Sequence, residues 1–135
     1  MDKYAIKKLI DKAVEAKRRS YSPYSNFKVG AALLAKNGQV YTGCNIENAA
    51  YSPTNCAERT AFFKAVSEGV RDFEAIAIVG GEGEKLCPPC GVCLQVMAEF
   101  CDPQTFIVII ASEAGGRSEH LLKELLPMAF GLEGK

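Results

Sequence analysis

Two short stretches carry thiols and a carboxylate at spacings that suit a metal ion. They are Asn55-Cys56-Ala57-Glu58-Arg59 and, about thirty residues later, Pro89-Cys90-Gly91-Val92-Cys93. Each sits where a loop turns into a helix, and the positive end of a helix dipole favours a deprotonated sulfur. Cys90 and Cys93 stand at i and i+3, on one helix face, and can grip a single ion. With Cys56 as the third donor, one tetrahedral position stays open, which separates catalytic zinc sites from closed structural ones. Each half alone has a plainer reading. Asn55 and Glu58 could be an ordinary capping pair, and Cys90 with Cys93 a redox pair or half of a structural zinc site.

Three thiolates around Zn²⁺ leave one net negative charge, which weakens the metal's ability to acidify water. Arg59, at i+3 from Cys56, can reach back toward the sulfurs and offset part of it; a solvated surface arginine is the alternative. Cys87 makes a second, overlapping Cys-x-x-Cys with Cys90, and the run Cys87, Cys90, Cys93 resembles the start of an iron–sulfur motif. The next cysteine, Cys101, is too distant to complete that spacing, and Pro88 and Pro89 separate Cys87 from the helix face. Cys44, Cys87 and Cys101 are therefore expected to be non-ligands.

Around these groups the chain alternates helix and strand. Ile6, Leu9, Ile10, Ala13 and Val14 repeat at helical spacing, predicting an amphipathic helix over about 3–19 whose basic end suits the negative dipole pole. Two apolar runs, 29–34 and 40–43, flank Asn37-Gly38, a strong hairpin signal. A helix over about 56–68, a buried strand over 73–79, a helix over 90–100 and a buried strand over 106–111 follow. The strand–helix–strand order makes the last two strands parallel. Val92, Val96 and Phe100 are expected on the apolar side of the 90–100 helix, and a final helix over 118–126 ends at Pro127. The expectation is one domain, 1–135, of layered α/β type.

Lys plus Arg and Asp plus Glu both total 16, so no basic stripe points to nucleic acid and no charge excess to a membrane surface. No apolar run approaches a membrane span, and the first residues lack an apolar signal core, which suggests a cytoplasmic protein whose cysteines are thiols or ligands. The single histidine, His120, lies in a polar stretch and is expected at the solvated surface.

Three cysteines, a non-ligand glutamate and Pro-Cys-x-x-Cys are the general pattern of zinc deaminases. More specifically, Asn45-Ile46-Glu47-Asn48-Ala49-Ala50-Tyr51, Cys56-Ala57-Glu58-Arg59-Thr60-Ala61 and Pro89-Cys90-Gly91-Val92-Cys93-Leu94-Gln95 closely resemble the small homotetrameric cytidine deaminases. The likeness extends to 23–31 and 125–130 in the same order. It implies a three-layer fold with a mixed sheet of about five strands, one more than periodicity alone locates. It also implies one Zn²⁺ per subunit on Cys56, Cys90 and Cys93, with Glu58 passing protons from water to ring nitrogen 3 and to the departing ammonia. Substrate contacts are implied at Phe27 (pyrimidine), Asn45 and Glu47 (ribose hydroxyls) and Ala57, with Ala50, Tyr51 and Phe130 reaching a neighbouring subunit's site. Leu94 stands where the family usually has Arg, and Pro88 where a small polar residue is commoner.

The implied function is hydrolytic deamination of cytidine and deoxycytidine in pyrimidine salvage. A deaminase of another aminopyrimidine nucleoside, such as blasticidin S, uses the same chemistry. A nucleic-acid editing enzyme would need a basic stripe, and a non-catalytic zinc-stapled interaction domain would need a fourth protein ligand.

Overall fold

The computed structural model describes residues 1–132; the last three positions of the expected 1–135 domain lie outside them. Strand β1 (Val29–Ala35) turns through Asn37-Gly38 into β2 (Val40–Cys44), and the two pair antiparallel from Gly30–Cys44 to Leu34–Val40. β3 (Phe73–Gly80) lies antiparallel on the other side of β1. β4 (Ile107–Ala111) runs parallel to β3, and β5 (Arg117–Leu121) returns antiparallel to β4. The order is β2-β1-β3-β4-β5 in one mixed sheet.

β1, β3 and β4 are apolar on both faces because both are covered. Alternate residues sort between two cores. Leu33, Ile76, Ile78, Val108 and Ile110 pack beneath α2 (Ala57–Ser67), α3 (Gly91–Phe100) and α4 (Leu122–Leu125). Ala32, Ala75, Ala77, Val79 and Ile109 face Ile6, Leu9 and Ala13 of α1 (Lys3–Lys17). That makes three layers.

The alanine-rich face lets α1 approach closely, and the limit is reached at Gly30. A Cβ there would lie 2.0 Å from the Ala13 carbonyl oxygen and 2.5 Å from the Lys17 nitrogen. On the opposite face, a Cβ at Gly43 would lie 2.4 Å from the Ala57 carbonyl oxygen and 2.6 Å from the Ala61 nitrogen. Absence of a side chain at Gly43 is therefore what seats the first turn of α2 on β2.

The fifth strand lies where a helix over 118–126 was expected. Residues 118–126 divide into the end of β5 and a single turn of α4. β4 would otherwise present an unpaired edge, and the turn at Gly115-Gly116 brings a polar segment back to pair with it. His120 is correspondingly half-buried opposite Val108, with Nε2 2.9 Å from the Ser118 hydroxyl, rather than solvated. In α3 the core-facing residues are Cys93, Leu94 and Met97, with Val96 and Phe100 packed partly against them, whereas Val92 is 58% exposed. Among the described residues no helix is long and apolar enough to cross a membrane.

The two glycine contacts predict a sharp asymmetry in tolerance. Gly30→Ala and Gly43→Ala should each cost about 3 kcal/mol in urea unfolding because backbone must move. Gly91→Ala, with nothing within 4 Å of the added methyl, should change stability by less than about 1 kcal/mol.

Candidate metal centre and active site

Cys56 and Cys90 are the N-cap residues of α2 and α3, both with extended backbone and neither making a side-chain capping bond. The alternative of an Asn55 and Glu58 capping pair is not formed. Asn55 instead exchanges two 2.9 Å backbone bonds with Ile46, and its amide donates to the Thr60 hydroxyl. Cys93 follows Cys90 by three residues and is buried.

The three sulfurs lie within 4.8 Å of one another, with 3.9 Å between Cys56 Sγ and Cys90 Sγ. Tetrahedral zinc–sulfur bonds of about 2.3 Å space the sulfurs about 3.8 Å apart, so the cluster fits one Zn²⁺ with little adjustment. Among the described residues, no fourth thiol, imidazole or carboxylate atom joins the group.

Arg59 donates from Nη2 to Cys56 Sγ at 3.2 Å, the reach-back its spacing suggested. The Cys56 thiol is lowered to about 5, first by the hydrogen bond from Cys93 and then by the Arg59 guanidinium. That same bond, together with burial, pushes the Cys93 thiol up. Glu58, in the first turn of α2, is only 5% exposed. Burial pushes its carboxyl up to about 7; its own backbone N–H pulls the other way, and the Cys56 charge adds to the rise. A carboxyl poised near neutrality beside a three-thiol cluster can both take and give a proton. Cys44, Cys87 and Cys101 stay outside the cluster, and burial raises all three thiols.

The residues that the resemblance assigns to substrate lie mostly on loops held by side-chain and backbone bonds. Asn45 is largely occupied by the fold: its Oδ1 accepts from the Val29 N–H at 2.9 Å and from the Ser20 hydroxyl, while Nδ2 donates to the Phe27 carbonyl at 2.8 Å. One amide hydrogen remains for a ligand. Glu47 accepts from the backbone N–H groups of Tyr24 and Ser25 and from the Ser25 hydroxyl, and the hydroxyl bond foremost lowers its carboxyl. It lines an open cavity of about 290 Å³ with Tyr24, Asn48, Tyr51 and Thr54.

Ala50 and Tyr51 are exposed, and so is Phe130, whose carbonyl accepts a 2.9 Å bond from Gln95 Nε2. Ala57 has no accessible surface in the isolated chain, and its carbonyl lies over Gly43. Leu94 is buried in the core beside Met97, where it packs instead of forming an ion pair. Ser20, Ser25 and Gln95 are supporting residues that sequence reasoning missed; their partners lie 22 to 35 positions away, beyond any local pattern.

Comparison with known proteins agrees with this geometry. Residues 3–109 match the family described as the cytidine and deoxycytidylate deaminase zinc-binding region. The cytidine deaminase of Sporosarcina psychrophila is 53% identical over 128 residues, covering 95% of this chain and 93% of that protein. The cytidine deaminase of Halalkalibacterium halodurans is 54% identical over 125 residues, covering 93% of each. A crystal structure of the Burkholderia pseudomallei cytidine deaminase superposes with a TM-score of 0.87 at 47% identity, covering 96% of this chain and all of that one. The Mycobacterium tuberculosis cytidine deaminase structure gives 0.81 at 36% identity, covering 98% and 100%. A five-stranded mixed sheet, a three-thiol cluster and a match over most of the chain converge, and the protein belongs to the zinc-binding cytidine and deoxycytidylate deaminase family.

Proposed function

We propose that this protein hydrolyses cytidine and deoxycytidine to uridine and deoxyuridine with release of ammonia, in cytoplasmic pyrimidine salvage, the chain acting as one domain. The observation that carries the reading is the buried Glu58 carboxyl beside three sulfurs that leave a coordination position open. Cys56, Cys90 and Cys93 would hold Zn²⁺, which when bound supplies the Lewis acidity that brings water near ionisation at neutral pH. Glu58 accepts a proton from the attacking water and gives it to ring nitrogen 3. Oxygen bonds to carbon 4; Glu58 then takes the remaining proton of that hydroxyl and passes it to the amino group, so the carbon–nitrogen bond breaks, ammonia leaves and the carbon 4 carbonyl forms. Arg59 offsets charge on the sulfurs.

Phe27 meets the pyrimidine, and Glu47 with the spare amide hydrogen of Asn45 binds ribose hydroxyls. Ala50, Tyr51 and Phe130 contact a neighbouring subunit's site in a homotetramer, a role supported by the exposure of all three in the isolated chain. A zinc-stapled interaction domain is disfavoured because the described residues offer three ligands and not four.

Ammonia release from cytidine, blocked by a strong chelator and restored by zinc, is the direct test; release from blasticidin S but not cytidine would reassign the substrate. Glu58→Gln should lower kcat about a thousandfold while keeping one zinc per chain. Arg59→Ala should weaken zinc retention about tenfold in chelator competition and slow turnover at saturating substrate; unchanged values for both would remove its role. Light scattering should give four times the 14.6 kDa chain mass, and a fully active monomer would eliminate the shared-site arrangement.

A further inference from the structure

Lys17 is the last residue of α1, where a lysine can remain hydrated and still favour the negative helix end. Here it is turned inward. Its side chain is 7% exposed, its ammonium lies 2.6 Å from Glu113 Oε1, and it also donates to the carbonyl of Gly81. A buried cation needs such partners to offset lost hydration. The partners are informative because they belong to two different loops. Glu113 follows β4, and Gly81 follows β3. A further backbone bond, Ala114 N–H to the Gly83 carbonyl at 3.2 Å, joins the same two loops.

Gly81 is consequently held at both ends of its peptide units. Its N–H donates to the Lys28 carbonyl at 2.9 Å, and its own carbonyl accepts from Lys17. Its φ of +71° is one that residues with a Cβ rarely adopt, and a Cβ there would lie 2.8 Å from Phe27 Cε1. At Gly80 a Cβ would lie 3.3 Å from Phe27 Cε2 and 2.6 Å from the Cys87 Cβ. The Phe27 ring thus rests directly on the backbone of the glycine pair, with no side chain between. Its main chain is pinned separately by Asn45. Lys17, Phe27, Gly81 and Glu113 together line an open cavity of about 560 Å³, to which none of the three clustered cysteines contributes.

We propose that Lys17, braced by Glu113, is a positioning residue for the pyrimidine pocket. By holding the Gly81 carbonyl it fixes the glycine platform that sets the depth of the Phe27 ring. Neither side chain reaches the sulfurs or Glu58, so the effect falls on substrate placement. The proposal rests on the reading that Phe27 faces the pyrimidine, and its test separates the two.

Lys17→Met, Glu113→Ala, their double variant and Phe27→Leu are compared by steady-state kinetics on cytidine, with zinc content and thermal midpoint measured alongside. The expected result for Lys17→Met is a KM about five- to tenfold higher, kcat within about twofold of the parent and one zinc per chain. Glu113→Ala should move KM in the same direction, and the double variant should fall short of the product of the single effects because both remove one interaction. A lower thermal midpoint with unchanged KM, or a kcat loss as large as the KM rise, overturns the proposal. If Lys17→Met does not fold, Glu113→Ala decides alone, and an unchanged KM there overturns it. A KM raised by Phe27→Leu but by neither of the others rejects Lys17 and leaves Phe27 standing. An unchanged KM for Phe27→Leu removes the pocket reading and the proposal with it.

Discussion

A cysteine at a helix N-cap is a poor choice for the helix itself. Ser, Thr, Asp or Asn there is worth about 1 kcal/mol through a bond to the exposed N–H groups. This protein forgoes that bond at both α2 and α3. What the two helix ends offer instead is a pair of sulfurs 3.9 Å apart, facing each other across the sheet's helical layer, with Cys93 completing the set. Sulfurs this close repel once ionised and are reconciled by a shared cation. Metal binding and the order of both helix ends are therefore thermodynamically linked. The close seating of α2 at Gly43 and the parallel placement of β3 and β4 around the α3 crossover serve this one juxtaposition.

The loops that approach the centre are ordered by bonds between side chain and backbone rather than by regular structure. Isolated bridges from Ile46 to Tyr21 and to Asn55 lace three stretches of chain together. Asn45 then spends most of its amide on Val29, Ser20 and Phe27. A side chain held by three such bonds is rigid before any ligand arrives, and rigidity of that kind limits the ordering cost of binding.

Much of this was legible in the sequence. The Asn37-Gly38 turn marked the hairpin, and the runs at 73–79 and 106–111 marked the buried parallel pair. The spacing of Cys90 and Cys93 and the neighbourhood of Glu58 identified the centre. The misses have specific causes. β5 has the polar sequence Arg-Ser-Glu-His-Leu, so it exists because β4 needs an edge partner and not because its own residues alternate. Leu121, Leu122, Leu125 and Leu126 mimic a helical stripe across what is a strand and one turn. Val92 looked apolar but faces outward, because the rotation of α3 is set by turning Cys93 inward. The basic end of α1 suits the negative dipole pole, but nothing within that helix marks the Glu113 and Gly81 partners that other loops contribute to Lys17.

The contact between Gln95 and the chain's C-terminal segment divides two properties that are usually bound together. The amide of Gln95 grips the main-chain oxygen of Phe130, a residue that is 69% exposed, and makes no bond to its side chain. Location is thereby dictated by the helix that bears two of the cysteines, while side-chain identity is left open. Such a join lets the outward group be exchanged without loosening its mooring.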